Sequence, residues 1–313
     1  GYSAQKRNLN SDQVSGIDGM VKWNDRVNDF KYFASVNLTL ARQKTINNYG
    51  EVFLNGWDQY RWAQTNRWSN VKNGAVWMWE TIGVFQTQEE IDNYPVNIDG
   101  ANNVNLRPGD LIFKDVNGDG LIDDYDKRPL GYAATDYEWN RSNANKNPLL
   151  SMGINLGFEY KGIDFAADFA GGFMNTFIGD WHVRYGIGTD QMGYVYNVID
   201  SWQHEDIFDV KSPWKPGKFP AVRSNNPSIR DWNDFYAKEI NYLRLRNLVV
   251  GYTLPVKWTK KALIQKLRVY FEGSNLFCWD SLNDFGFDPE ISSVTGFDYP
   301  QHKVYTVGVN VTF

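Results

Sequence analysis

Cysteine occurs once in these 313 residues, at Cys278. One thiol excludes a disulfide framework and a thiolate metal centre, and it leaves the redox compartment unspecified. Histidine is nearly as scarce: His182, His204 and His302 lie far apart and in no metal-ligand spacing. A nucleophile elbow, a phosphate loop and a dinucleotide fingerprint are all missing, which removes the common signatures of hydrolases and nucleotide enzymes. Positive charge is not in excess. The net charge of −5 argues against a nucleic-acid partner. No apolar run approaches the roughly 18 residues that a transmembrane helix requires. The chain opens at Gly1 with neither Met nor a signal peptide, as expected of a mature product or of a piece of a longer protein.

Aromatic residues, by contrast, are abundant: 13 Trp, 18 Tyr and 19 Phe make up 16% of the chain. Many of them recur with a period of two. In Tyr305–Phe313, the residues Tyr305, Val307, Val309, Val311 and Phe313 fall on one face of a strand, and Thr306, Gly308, Asn310 and Thr312 fall on the other. Nine residues are close to the length of a tilted strand that crosses a bilayer, about 9–11 residues. Taken alone, this segment fits a half-buried strand of a soluble domain equally well. A chain without apolar helices can span lipid only as a closed barrel, because every backbone polar group must be paired internally.

The alternation recurs. Phe30, Tyr32, Ala34, Val36, Leu38 and Leu40 share a face in Phe30–Arg42; Met152, Ile154, Leu156, Phe158 and Tyr160 do so in Leu150–Tyr160. Ile163–Phe173 follows across a tight Lys161-Gly162 turn, with Phe165, Ala167 and Phe169 opposing Asp164, Ala166 and Asp168. Val14–Trp23, Tyr242–Leu254 and Leu267–Cys278 bring the expected count to seven strands. Tyr242–Leu254 changes phase near Asn247. A β-bulge would explain this, as would a strand whose first part stands above the membrane. The second is favoured, because Arg244 and Arg246 would be costly in lipid. Connections alternate in length: Asn24–Asp29, Lys161-Gly162 and Pro255–Lys266 are short to modest, whereas Gln43–Leu149, Met174–Asn241 and Trp279–His302 are long. Outer-membrane barrels have short periplasmic turns and long extracellular loops, and this sequence keeps that alternation. The long segments carry helical patterns at Gln88–Asn93 and Gly193–Glu205 and read as folded loops. Trp57, Tyr60, Trp62, Trp68, Trp77 and Trp79 crowd the first of them, for packing or for stacking on sugar rings.

One local motif has metal-ligand spacing. Asp115, Asn117, Asp119, the carbonyl of Leu121, Asp123 and Asp126 stand at positions 1, 3, 5, 7, 9 and 12 of a loop with Gly120 at position 6. That is the spacing of a calcium loop of the EF-hand kind, with Asp in place of the usual Glu at position 12. It predicts a structural Ca²⁺ that fixes a loop; a solvated Asn/Asp/Gly turn is the alternative. The paired acids Glu89-Glu90 read as a solvated helix face, and Asp164 and Asp168 as lumen-facing charges.

Five ordered blocks carry a family resemblance. Gly83–Ile91, Pro108–Gly120, Tyr242–Pro255, Asn275-Leu-Phe277 with Phe287-Asp288-Pro289-Glu290, and the Phe-ended strand resemble the carboxyl-terminal part of SusC/RagA-type TonB-dependent outer-membrane transporters of the Bacteroidota. The resemblance implies an all-β fold: about seven antiparallel transmembrane strands of a plugged barrel of about 22, with long folded extracellular loops. The plug and the earlier strands have no counterpart in residues 1–313. It further implies active import of oligosaccharides or peptides across the outer membrane. The partners implied are a SusD-like surface lipoprotein, outer-membrane lipid, and TonB–ExbB–ExbD acting through the plug. The terminal aromatic strand (Tyr305, Val307, Val309, Val311, Phe313) resembles the family's assembly signal. A soluble, secreted, calcium-dependent glycan-binding β-domain is the competing reading. A β-rich glycosidase would need two facing carboxylates that the sequence does not single out.

Overall fold

The computed structural model describes residues 11–47, 56, 75–132, 148–178, 200–223, 226–229, 233–282, 288–290 and 301–313. Among these described residues thirteen strands run in chain order: β1 (Ser11–Val27), β2 (Phe30–Asn47), β3 (Ala75–Met78), β4 (Thr81–Val84), β5 (Leu111–Phe113), β6 (Arg128–Tyr132), β7 (Leu150–Tyr160), β8 (Ile163–Ile178), β9 (Gln203–His204), β10 (Trp214–Lys215), β11 (Ala237–Thr253), β12 (Lys266–Asp280) and β13 (Val304–Thr312). The seven long ones form one sheet in the order β1-β2-β7-β8-β11-β12-β13, every neighbour antiparallel. This is a pure meander, in which each strand pairs with the next long strand in sequence. All seven strands expected from the alternation are present.

Register aligns the apolar positions across the sheet. Val21 pairs with Val36, Val36 with Ile154, and Ile154 with Phe169. On the other side Val250 lies between Phe165 and Phe271, and Phe271 pairs with Val307. Because side chains alternate, fixing one such row fixes the whole face. The apolar face is left open: Ile17, Val21, Trp23, Leu38, Leu156, Val250, Val269 and Val307 are all exposed, Val307 at 76%. The opposite face is polar and cross-linked. Thr39 donates to Asp18 (2.6 Å), Ser35 to Asn155 (3.2 Å) and Asn155 to Asp168 (2.7 Å), while Arg268 pairs with Asp164 through two hydrogen bonds. Gly251 makes room for that last pair: a Cβ there would stand 2.5 Å from Asp164 Oδ1 and 2.6 Å from Arg268 Nε.

The turns follow local chemistry. Lys161 and Gly162 both take positive φ (47° and 89°), the backbone of a two-residue hairpin whose twist matches its strands. Asn28 (φ 53°) performs the same service between β1 and β2. Both turns, and the connection between β11 and β12, lie at one end of the sheet. The antiparallel order places the three long connections, β2 to β7, β8 to β11 and β12 to β13, at the other end.

The phase change in β11 is a bulge. Asn247 pairs with Asp168 and Leu245 with Phe169, so Arg246 is an extra residue opposite β8. Against β12, Asn247 pairs with Ser274 and Leu245 with Phe277, so the partner strand also breaks step, at Asn275 (φ 53°) and Leu276. The bulge is compatible with the expectation that the first part of the strand stands above the membrane, since Ile240 of the same strand lies in the core of the long connections. Without the slip, Arg244 and Arg246 would share the face of Leu248, Val250 and Tyr252, the apolar face of the sheet. With it, Leu243 and Leu245 continue the apolar face, and the arginines join Asn247 on the polar one.

The only large hydrophobic core among the described residues lies in the long connections. Trp79, Phe85, Ile91, Ile98, Leu106, Leu111, Phe113 and Ile122 come from the first, Phe219 and Tyr236 from the second, and Leu282 from the third; Ile240 of β11 joins them. Among the described residues, no helix is long and apolar enough to cross a membrane. Helix Gln88–Asp92 forms where the sequence pattern places it, with Thr87 accepting from the Glu90 N–H and Glu90 accepting from the Gln86 N–H. The described part of Gly193–Glu205 is not helical: Ser201 bridges Phe219, and Gln203–His204 pairs with Trp214–Lys215. Pairing with a neighbouring segment overrides the local helical period there. Trp57, Tyr60, Trp62 and Trp68 lie outside the described residues.

Candidate functional site

The features that bear on function are the loop lobe at one end of the sheet, the polar face below it, and the apolar face outside. The lobe is tied together across connections that are distant in sequence. Buried Asp110 accepts from the Arg107 N–H and takes two hydrogen bonds from the Arg223 guanidinium, 113 residues away. Ser228 Oγ accepts from the Leu111 N–H, and Asp234 Oδ1 from the Thr81 N–H. These bonds join the first and second connections into one folded unit.

The third connection is joined by charge. Arg244, nearly fully buried, donates twice to Asp288 at 2.7 Å and lies within ion-pair range of Glu290, without a hydrogen-bond angle from Nε. Arg246 pairs with the same Glu290 and reaches Gln301 (3.3 Å). The side chains of Asp288 and Glu290 are 16% and 9% exposed. Sequence reasoning named Arg244, Arg246, Asp288 and Glu290 as parts of separate blocks and did not pair them. Two arginines at alternate positions of a strand, with two acids at alternate positions of a later loop, are the signal that was available.

The loop Asp115–Asp126 is held by its own backbone. Asp115 accepts from the N–H groups of Gly118 (2.6 Å) and Gly120 (2.8 Å), Asn117 from Asp119 (3.0 Å), and Asp119 from Leu121 (2.9 Å). Asp123 caps the short 3₁₀ turn Asp124–Asp126, accepting from the Tyr125 N–H. Asp126 is wholly buried, and each of its carboxylate oxygens takes one N–H, from Val116 and from Asp123. Burial pushes the Asp126 carboxyl above its usual value, against the pull of those bonds. Among the described residues, no group of three or more His, Cys, Asp or Glu side chains is placed to hold a metal ion. The predicted ligand set Asp115, Asn117, Asp119, Leu121, Asp123 and Asp126 forms one loop, in which Asp115, Asn117, Asp119, Asp123 and Asp126 each accept from a backbone N–H. The loop also anchors the lobe: Ile122 is in the core, and Trp79 Nε1 donates to the Asp123 carbonyl.

The residues of the terminal strand stand where the alternation puts them. Tyr305, Val307, Val309, Val311 and Phe313 are all exposed on the apolar face, Phe313 at 78%. A row of large apolar side chains left open over seven strands, with polar cross-links on the reverse and all long loops at one end, defines the wall of an antiparallel transmembrane β-barrel.

Comparison with known proteins agrees with that class. No family model matches the chain. It is similar to TonB-dependent receptor P3 of Formosa agariphila, with 24% identity over 342 aligned residues that cover 100% of this chain and 30% of the relative. Receptor P26 of the same organism aligns at 23% identity, again over 100% of this chain and 30% of its own length. Among solved structures, the RagAB peptide transporter superposes with a TM-score of 0.60 at 19% identity, over 100% of this chain and 30% of that one. The RagAB peptide importer in its open-open state gives 0.63 at 18% identity, over 99% and 30%. The resemblance carried by the five motif blocks is therefore borne out: the chain is SusC/RagA-like and similar along its whole length to TonB-dependent receptors, of which it spans about 30%.

Proposed function

We propose that the chain forms the carboxyl-terminal part of the barrel wall and the outer lobe of a transporter that imports oligosaccharides or peptides across the bacterial outer membrane. TonB–ExbB–ExbD would drive it through a plug outside these residues, and a SusD-like lipoprotein would sit over the lobe. What carries the reading is the segregation of surfaces: apolar outside on seven strands, polar inside, and every long connection at one end, packed into one core. The RagAB structures are described as a peptide transporter, which keeps peptides beside oligosaccharides as the substrate class. A soluble glycan-binding domain would have to cover Tyr305, Val307, Val309 and Val311, all of which are open. The test is uptake by cells that carry or lack the full-length gene, using labelled peptides and oligosaccharides with and without a protonophore. Energy-dependent uptake of either class that vanishes with the gene supports the proposal. Unchanged uptake of both, or release of the protein by buffer without detergent, contradicts it.

Two finer proposals accompany it. The exposed Phe313 closes the assembly signal, so its removal from the full-length protein is expected to lower the amount in the outer membrane severalfold; normal surface levels would refute this. Calcium at Asp115–Asp126 is proposed on ligand spacing and on the positive φ of Gly120 (79°). Calorimetric titration of the full-length protein should give one saturable Ca²⁺ site that Asp119→Ala removes, whereas no heat above dilution would leave the loop to its backbone bonds alone.

A further inference from the structure

The connection between β11 and β12 differs from the other two short turns. Residues 255–266 hold Lys257, Lys260, Lys261 and Lys266 and no acidic residue, in a chain where acids outnumber bases by 37 to 32. All four lysines are exposed, and among the described residues Lys257, Lys260 and Lys261 pair with no carboxylate. The neighbouring turns balance their charge: Asp25 and Asp29 flank Arg26, and Glu159 precedes Lys161. The same connection exposes large apolar side chains, Val256 at 57%, Trp258 at 61% and Leu263 at 83%.

These groups are held on a built turn. The Trp258 N–H donates to the Pro255 carbonyl (2.9 Å) and the Leu263 N–H to that of Lys260 (3.1 Å), while Thr259 is buried beneath. Leu254 N–H bonds to Leu267 and Gln265 N–H to Thr312, which ties the turn to the ends of β12 and β13 beside exposed Phe313. It therefore sits where the apolar face ends, at the short-turn end of the sheet.

We propose that this connection is an interfacial anchor. Trp258, Val256 and Leu263 would enter the boundary between acyl chains and headgroups, and Lys257, Lys260 and Lys261 would bind the phosphates of anionic phospholipid in the adjoining leaflet. The charge pattern selects an anionic surface. The apolar side chains select lipid over a polyanionic polymer such as peptidoglycan, which offers them no apolar phase. Amphipathic Trp and long lysines are the residue types that settle at such a boundary. The inference rests on the barrel reading above.

The test uses the full-length protein, purified in detergent with a mixture of phosphatidylglycerol and phosphatidylcholine and examined by native mass spectrometry. Wild type should retain phosphatidylglycerol preferentially. The triple variant Lys257→Gln/Lys260→Gln/Lys261→Gln should lose that preference, by about fivefold per lysine. Added inorganic phosphate should leave the preference intact. A spin label at Leu263→Cys, in a Cys278→Ser background in lipid nanodiscs, should be relaxed more by oxygen than by an aqueous nickel chelate. Equal lipid retention by wild type and variant, a label accessible only from water, or binding to peptidoglycan sacculi in place of lipid would each overturn the anchor. A protein that inserts normally yet shows no preference counts against the anchor alone; failure to fractionate with the outer membrane counts against the barrel.

Discussion

Replacing Arg244 with Met is expected to release the third connection from the sheet while the strands stay paired. The guanidinium side chain is 5% exposed, and its removal leaves Asp288 without a counter-ion and Glu290 with Arg246 alone. Breaking a buried pair by deleting one partner typically costs about 3–5 kcal/mol, because the remaining charge stays desolvated. The loss should appear in hydrogen exchange as faster opening at residues 288–290 and at the bulge of β11, with the centres of β7 and β8 unchanged. Arg244→Lys should recover only part of the loss, since a single ammonium cannot hold Asp288 as Nη2 does while Nε stays beside Glu290. The double variant Arg244→Met/Asp288→Leu should recover more than either single change predicts. Unchanged exchange in Arg244→Met would mean that these charges hold nothing together.

A loss of similar size is expected for Asp110→Ala, at a different seam. Asp110 has no exposed surface and satisfies three donors, the Arg107 N–H and two from Arg223. Alanine removes the acceptor of the part-buried Arg107 N–H and leaves Arg223 with only its bond to the Asn105 carbonyl. About 3–5 kcal/mol should again be lost, now from the junction between the first and second connections. Limited proteolysis should cut residues 200–223 in the variant and spare them in the wild type. Asp110→Asn keeps one acceptor for Arg223 and should fall between the two. Equal resistance to cleavage would show that the lobe is held by its apolar core alone.

The strands were legible because a transmembrane wall imposes the simplest of patterns. One face meets lipid and the other meets the lumen, so Tyr305, Val307, Val309 and Val311 alternate with Thr306, Gly308 and Asn310 without exception. The turn Lys161-Gly162 was legible for a local reason as well, the need for positive φ. Harder to read was any feature set by residues far apart. The bulge at Arg246 could be suspected from the phase change, but choosing it required the charges that receive Arg244 and Arg246, and those stand 44 residues further on. The lobe presents the same difficulty. Asp110 and Arg223 look like ordinary surface charges in sequence, and only the fold brings them together. Calcium spacing was legible in Asp115–Asp126; that the same side chains also accept from the loop's own N–H groups could be read only from the geometry.

The central claim is that the apolar face of the sheet meets lipid. It is tested most directly by cysteine scanning along β13 in the full-length protein, in native outer membranes and on a Cys278→Ser background. Spin labels at Tyr305, Val307, Val309 and Val311 should be relaxed by lipid-soluble oxygen, and labels at Thr306, Asn310 and Thr312 by an aqueous relaxant, alternating residue by residue. Uniform exposure to water, or shielding of the Tyr305–Val311 set from both relaxants, would contradict the account.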